Sequence, residues 1–272
     1  MTLVTSDTVG HARELVTPTL QEMVNRLDPG TRLVCSYHFG WCDEQGRAAN
    51  ANGGKAIRSA LALLGAEACG VDPLAALPAA AAVELVHNFS LVHDDLMDRD
   101  RQRRHRATVW ALWGDAAAVL AGDAMLSLAH EVLLESTSAH RAAAQTTIAI
   151  ASRELIRGQL ADMAFESRDD VGVAECLSMS RGKTAALVAA SVVAGAQLAG
   201  APPFVRDVLD AYGDHLGLAF QLVDDLLGIW GEPAVTGKPV YSDLRARKKT
   251  LPVTWTLENG GPTGRELATW LA

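Results

Sequence analysis

Residues 83–98 read VELVHNFSLVHDDLMD, and this run constrains the fold more than any other in the chain. At about 100° per residue, Leu85, Phe89, Val92 and Leu96 fall on one narrow stripe, the face of a helix that packs against its neighbours. His87, Asp94 and Asp98 fall within about 40° of one another on the opposite face. Segments of the same period recur between turn marks at Asp28-Pro29-Gly30, Asn52-Gly53-Gly54, Val71-Asp72-Pro73, Gly200-Ala201-Pro202-Pro203, Gly231-Glu232-Pro233 and Gly260-Gly261-Pro262. The pattern predicts about eight helices joined by short loops, with a looser loop over residues 37–52. Alanine and leucine dominate, aromatics are 5% and alternating runs are scarce, so the fold class is all-α. No linker divides the chain, which reads as one helical domain over residues 1–272.

Composition narrows the function classes. Hydrophobic residues at 49% and charged residues at 21% exclude disorder and fibrous repeats. A net charge of −8 gives no field that would draw nucleic acid. An acidic chain can still hold an anion where local Lys or Arg groups and a metal reverse the field. Cys35, Cys42, Cys69 and Cys176 lack metal-type spacing and read as reduced packing residues of a cytoplasmic protein. The N-terminus carries no basic-then-apolar signal pattern. The most membrane-like stretch, residues 185–201, is broken by Ser191, Gly195 and Gln197; it reads as a packed core helix and not a span.

The chemistry lies in two aspartate clusters. Asp94 and Asp98 stand four residues apart on a helix, so their carboxylates project side by side and repel unless a cation sits between them. One or two carboxylates completed by substrate phosphates is what Mg²⁺ accepts. The alternative is a solvated acidic face, against which counts the apolar run Phe89-Ser90-Leu91-Val92 leading into it. Residues 217–230 read GLAFQLVDDLLGIW. Here Leu222, Val223, Leu226, Ile229 and Trp230 are expected to pack, with Gly217, Gln221, Asp224 and Asp225 on the other side. Anion-binding side chains flank both segments: Lys55, Arg58, Arg103, Arg104, Lys183, Lys238 and Lys248. Arg suits bidentate phosphate contacts and Lys acts as a point charge. Each alone reads as a surface charge; together with two aspartate clusters they point to a diphosphate ester held by metal and cations.

In order and spacing, these pieces resemble the trans-isoprenyl diphosphate synthase (polyprenyl synthetase) family. The matching motifs are Gly53-Gly54-Lys55-Ala56-Ile57-Arg58, His87, Asp94-Asp95-Leu96-Met97-Asp98, Arg103-Arg104, Gly182-Lys183-Thr184, Phe220-Gln221-Leu222-Val223-Asp224-Asp225, Gly237-Lys238-Pro239 and Lys248-Lys249-Thr250-Leu251-Pro252. The resemblance implies an all-α, isoprenoid synthase-type helical bundle around a central cavity, usually a homodimer, binding three Mg²⁺. It implies that Asp94 and Asp98 ligate metal on one side of an allylic diphosphate and Asp224 on the other, with Asp95 and Asp225 supporting. Arg103, Lys183, Lys238 and Lys248 would hold the allylic diphosphate. Lys55, Arg58, His87 and Arg104 would bind isopentenyl diphosphate, and Lys183, Thr184 and Gln221 would face the reacting carbons.

Three departures from the family pattern stand out. Gly228 takes the place of a third aspartate in the second motif, Ala56 that of a usual Arg, and His105 that of a common Gly after the Arg pair. The chain also stops at Ala272, inside a helix-like segment beginning near Gly264. Family members normally continue into further C-terminal helices, and a sequence shorter than the natural protein is one reading of this. In the family, bulk at the fifth and fourth positions before the first motif, here Phe89 and Ser90, limits product length; a large Phe89 implies a C20 product ahead of C15. Two other readings remain open: a class I terpene cyclase, and a non-catalytic partner subunit.

Overall fold

The computed structural model describes residues 6–49, 51, 54–232 and 241–271. Its helices are α1 (Ser6–Asn25), α2 (Pro29–His38), α3 (Ile57–Glu67), α4 (Leu77–Met97), α5 (Val109–Trp113), α6 (Asp115–Leu134), α7 (Arg141–Phe165), α8 (Val173–Ser180), α9 (Ala186–Leu198), α10 (Pro203–Trp230), α11 (Ser242–Arg245), α12 (Leu251–Asn259) and α13 (Pro262–Leu271). One two-stranded ladder, β1 (Gln102–Arg103) with β2 (Arg106–Ala107), is the only sheet among the described residues. The fold class is therefore all-α, as the periodicity implies. Contacts divide the chain into two compact units, residues 1–149 with 190–210, and residues 150–189 with 211–272.

In the first unit α4 is the central helix, packed against α1, α3, α5 and α6. Its N-terminal half is Ala79-Ala80-Ala81-Ala82-Val83, all fully buried, because small side chains let neighbours approach from every side. Leu85, Phe89 and Val92 continue the buried stripe. Sealing Leu85 from water contributes about 2 kcal/mol. A Cβ on Gly195 of α9 would overlap the carbonyl of Ala62 on α3, and one on Gly65 would overlap that of Val192, so these backbones touch. Asp28 caps α2 with Oδ1, which accepts from Gly30 N at 3.0 Å and Thr31 N at 3.2 Å, and Pro29 supplies a preset φ at the first helical position.

The hairpin after α4 pairs Gln102 with Ala107 and Arg103 with Arg106. Its two turn residues are Arg104 (φ 52°) and His105 (φ 62°). A two-residue hairpin of this hand needs positive φ at both positions, which glycine adopts without strain. The departure at His105 therefore falls on a left-handed residue. Ala56, another departure, is left-handed as well (φ 52°) and caps α3.

In the second unit α8 passes through a π-helical turn, Arg181–Ala185, into α9. Gly213 and Gly217 of α10 lie where a Cβ would overlap the backbone of Ala189 and Ala185. This close approach decides which face of α10 is buried, and it corrects the sequence reading. The buried line is Gly213, Gly217, Asp225, Gly228 and Ile229, whereas Val223, Leu226 and Trp230, expected to pack, are exposed among the described residues. Both sides of this helix carry apolar residues, so periodicity alone cannot choose between them; backbone approach through glycine does. Ile229, Val253 and Leu271 join α10, α12 and α13 in one small core, and Phe165, Val171 and Met179 form another.

Residues 73–97 and 115–134 are long and apolar enough to cross a membrane by length and composition, and 67% of the first window is buried within the protein. Residues 185–201, the most membrane-like stretch by sequence, form the end of the π turn, α9 and its following loop.

Candidate diphosphate and metal site

Within the first unit, α4 ends in a way that keeps the aspartate spacing. Asp98 is the C-cap, still right-handed at φ −79°, and its N–H donates to Asp94 O at 2.8 Å. Asp94 and Asp98 are half-buried, while Asp95 is 2% exposed. Arg103 Nε, on β1, donates to Asp95 Oδ1 at 2.7 Å, and Arg103 Nη2 stands 3.9 Å from Asp94 Oδ2. Burial pushes the Asp95 carboxyl up to about 6, against the pull of Arg103. Asp95 thus has an oxygen committed to Arg103, a pairing that residue spacing did not reveal.

Beside this cluster lie the cationic residues. Arg58, on the first turn of α3, donates from Nη1 to His87 Nε2 at 3.3 Å. A guanidinium can only donate, so His87 Nε2 accepts and the imidazole proton sits on Nδ1. Burial, then Arg58, Arg104, Arg103 and His38, holds His87 well below the ordinary histidine range, so it is neutral at pH 7. Arg104 reaches from the hairpin turn to Gly54, whose Cβ, if present, would meet Arg104 Nη2 at 2.6 Å. Burial lowers both Arg58 and Arg104, and each retains its charge. Lys55 is exposed. Four residues of this cluster escaped the sequence reading: His38, Ser59, Glu84 and Asn88, linked by hydrogen bonds of 3.1 to 3.3 Å. The available signal was Glu84 itself, a carboxylate inside an apolar run.

Phe89 is 5% exposed and meets the His93 ring edge-on at 5.0 Å. His93 in turn reaches Val119 O of α6 at 3.1 Å, and Ser90 Oγ donates to His87 O at 2.8 Å.

The second unit builds its own group. Lys183 and Thr184 lie on the π turn, a rare conformation that concentrates at functional sites. A Cβ on Gly158 would overlap the Lys183 backbone, so α7 approaches this turn closely. Lys183 Nζ pairs with Asp162 Oδ2 of α7 at 2.5 Å, a partner that sequence did not indicate. Thr184 Oγ1 donates to Gln221 Oε1 at 2.6 Å, Gln221 Nε2 to Asp225 Oδ1 at 2.8 Å, and Leu251 N to Asp225 Oδ2 at 3.1 Å. Asp225 is buried, and burial raises its pKa. Asp224 is exposed. Lys248 is half-buried, its N–H donating to Asp243 O at 2.9 Å. Lys238 lies outside the described residues.

The departure at Gly228 has a structural counterpart. A Cβ built there would overlap the Asp243 carboxylate, meeting its farther oxygen at 3.0 Å and Cγ and Oδ2 closer still. Asp243 of α11 occupies the space that a side chain at 228 would need.

The donor set can be tested against a metal. Asp95 Oδ1 is taken by Arg103, and Asp225 accepts from Gln221 and Leu251 N, so these two carboxylates are already engaged by protein donors. Among the described residues no three His, Cys, Asp or Glu side chains form a cage. Hard oxygens without a closed cage fit Mg²⁺, which takes few carboxylates and completes its shell with phosphate and water. A separate, open cavity of about 520 Å³ is lined by residues including Gln21, Arg32, Ser36 and Trp41; none of the site residues borders it.

Known proteins resemble this chain in sequence and in fold. The polyprenyl synthetase family model matches residues 40–272. A (2E,6E)-farnesyl diphosphate synthase from Mycobacterium tuberculosis is 68% identical over 271 residues, covering 100% of this chain and 76% of the relative. A geranylgeranyl diphosphate synthase from the same organism is 42% identical over 252 residues, covering 92% of this chain and 72% of the relative. The crystal structure of a polyprenyl synthetase from Streptomyces coelicolor A3(2) superposes with a TM-score of 0.94 at 53% identity, over 97% of this chain and 78% of that one. With its fold and its motifs both matched, the chain belongs to the polyprenyl synthetase family, as a short-chain trans-isoprenyl diphosphate synthase.

Proposed function

We propose that the protein condenses isopentenyl diphosphate with an allylic diphosphate to an all-trans C15 diphosphate, using Mg²⁺. The observation that carries this reading is the neighbourhood built in the first unit. Asp94 and Asp98 close α4 side by side, Asp95 is tied back by Arg103, and Arg58, His87 and Arg104 gather next to them. Asp94, Asp98 and Asp224 would hold magnesium, three ions in all, with Asp95 and Asp225 steadying the helices that carry them. When bound, the ions neutralise charge developing on the departing diphosphate.

The side chains do the rest. Arg103, Lys183, Lys238 and Lys248 grip the allylic diphosphate, so that its leaving oxygens meet fixed positive charge. Lys55, Arg58, His87 and Arg104 hold isopentenyl diphosphate with its double bond aligned on the allylic carbon. Neutral His87 binds as a Nδ1–H donor. Lys183, Thr184 and Gln221 face the reacting carbons, where the Thr184–Gln221 hydrogen bond orients both groups. No side-chain nucleophile is needed: alignment and charge stabilisation supply the rate. The chain is proposed to act as one helical domain, in the cytoplasm, as a homodimer with a central cavity.

The C20 preference drawn from Phe89 is not supported, since the relative at 68% identity bears the name of a C15 synthase.

The test is incubation of the purified protein with Mg²⁺, isopentenyl diphosphate and each of the C5, C10 and C15 allylic diphosphates. Elongation that stops at C15 is expected. A cyclic hydrocarbon from one allylic substrate alone would point to a cyclase and sink the reading, as would turnover only in the presence of another chain.

A further inference from the structure

Behind the first aspartates, α4 carries one carboxylate that the proposed reaction does not use. Glu84 is 7% exposed, inside a run buried on every side. A carboxylate so placed is tolerated only with specific partners. Oε1 accepts from Asn88 Nδ2 at 3.3 Å, and Oε2 lies 3.2 Å from Ser59 Oγ. The Ser59 hydroxyl also lies 3.0 Å from Ala80 O, so its one proton is shared between that carbonyl and Glu84. Asn88 Nδ2 points to Glu84, so Asn88 Oδ1 must accept, and it does so from His38 Nε2 at 3.1 Å. Ser59 and Asn88 are 0% and 1% exposed.

The two partners of Glu84 are the chain neighbours of Arg58 and His87. Glu84 therefore ties α3 to α4 at the level where Arg58 meets His87. Arg58 Nε is buried and has no partner among the described residues. Arg58, Arg103 and Arg104 concentrate positive charge on this spot; burial pushes the Glu84 carboxyl up, while Arg58, the Ser59 and Asn88 hydrogen bonds and Arg104 favour its charged form.

We infer that Glu84 is the positioning residue of the isopentenyl diphosphate site, fixing Arg58, His87 and Arg104 in their binding arrangement before the diphosphate arrives. This rests on the reading of those three residues as the isopentenyl diphosphate site. Without the carboxylate, mutual repulsion spreads the guanidiniums and the α3–α4 register loosens. The consequence is selective: isopentenyl diphosphate binding weakens most, while allylic binding, which Arg103 shares with Lys183, Lys238 and Lys248, changes less.

The experiment compares Glu84→Gln, which keeps the shape and removes the charge, with the unmodified protein. The KM for isopentenyl diphosphate is expected to rise about 10-fold, the order of one lost charge-assisted interaction, with the allylic KM within about 2-fold and kcat little changed. Glu84→Asp, which keeps the charge, should recover part of the loss. Equal rises in both constants would mean a merely structural role and overturn the inference, as would a folded Glu84→Gln protein with an unchanged isopentenyl KM. Should Glu84→Gln not fold, Ser59→Ala carries the test: a selective rise of about 3-fold supports positioning, and no rise overturns it. Calorimetric binding of isopentenyl diphosphate alone, weaker in Glu84→Gln, reads the same effect without turnover. If the unmodified protein binds isopentenyl diphosphate but elongates nothing, the proposed reaction fails and the positioning role stands or falls on that binding.

Discussion

Replacing Gly228 with alanine tests whether Asp243 fills the place of the missing third aspartate. In an exposed helix interior, Gly→Ala stabilises by about 0.5–1 kcal/mol, because alanine has less backbone freedom to lose. Gly10 of α1, with nothing within 4 Å of its added Cβ, is the control and should show that gain. At Gly228 the new methyl meets Asp243 Cγ and both its oxygens at 3.0 Å or less. The methyl takes the place of the whole carboxylate head, so the Asp243 side chain must turn away to make room. Helix α11 cannot drift freely: Tyr241 N donates to Ile229 O at 3.3 Å and Lys248 N to Asp243 O at 2.9 Å. Overpacking of this kind costs about 1–3 kcal/mol, so the net change is a loss of about 1 kcal/mol. In a chain of this size that lowers Tm by about 2–4 °C. Thermal and urea denaturation of Gly228→Ala, Asp243→Ala and the double variant closes a cycle in which the two sites couple by about 1–2 kcal/mol. A Gly228→Ala protein as stabilised as Gly10→Ala would refute the reasoning.

Three further outcomes are expected. His105→Gly should stabilise by about 1 kcal/mol in urea denaturation, by relieving a left-handed non-glycine turn residue. His38 is pushed down to about 3, chiefly by burial and then by Arg103 and Arg104, from an ordinary 6.5. Its folded pKa lies below its unfolded one, so its contribution is present above about pH 6.5 and lost as pH falls toward 3. Stability of the unmodified protein should therefore drop more between pH 6.5 and 5 than that of His38→Gln, by up to about 2 kcal/mol; parallel curves would show that His38 titrates normally. Phe89→Ala should lengthen the product beyond that of the unmodified enzyme in chromatographic analysis, while destabilising by about 3 kcal/mol; an unchanged product distribution would remove Phe89 as the cavity floor.

The sequence by itself determined the all-α class, the course of α4 and the spacing of Asp94 and Asp98, because these depend on local periodicity. A repeat of 3.6 residues sets Leu85, Phe89 and Val92 on one stripe wherever the helix lies. The order of the motifs likewise named the family from residue types alone. The tertiary structure decided what periodicity leaves degenerate. On α10 both faces are apolar, and the close approach of Gly213 and Gly217 to Ala189 and Ala185 buried the side that carries Asp225. The partners of the charged residues were also out of reach of sequence. Asp95 meets Arg103, Lys183 meets Asp162, and Glu84 meets Ser59 across separate elements. Such pairs depend on how backbones cross, and no local propensity encodes a crossing. For the same reason Gly228 read as a loss in the sequence, whereas in the fold its space is taken by a carboxylate from Asp243.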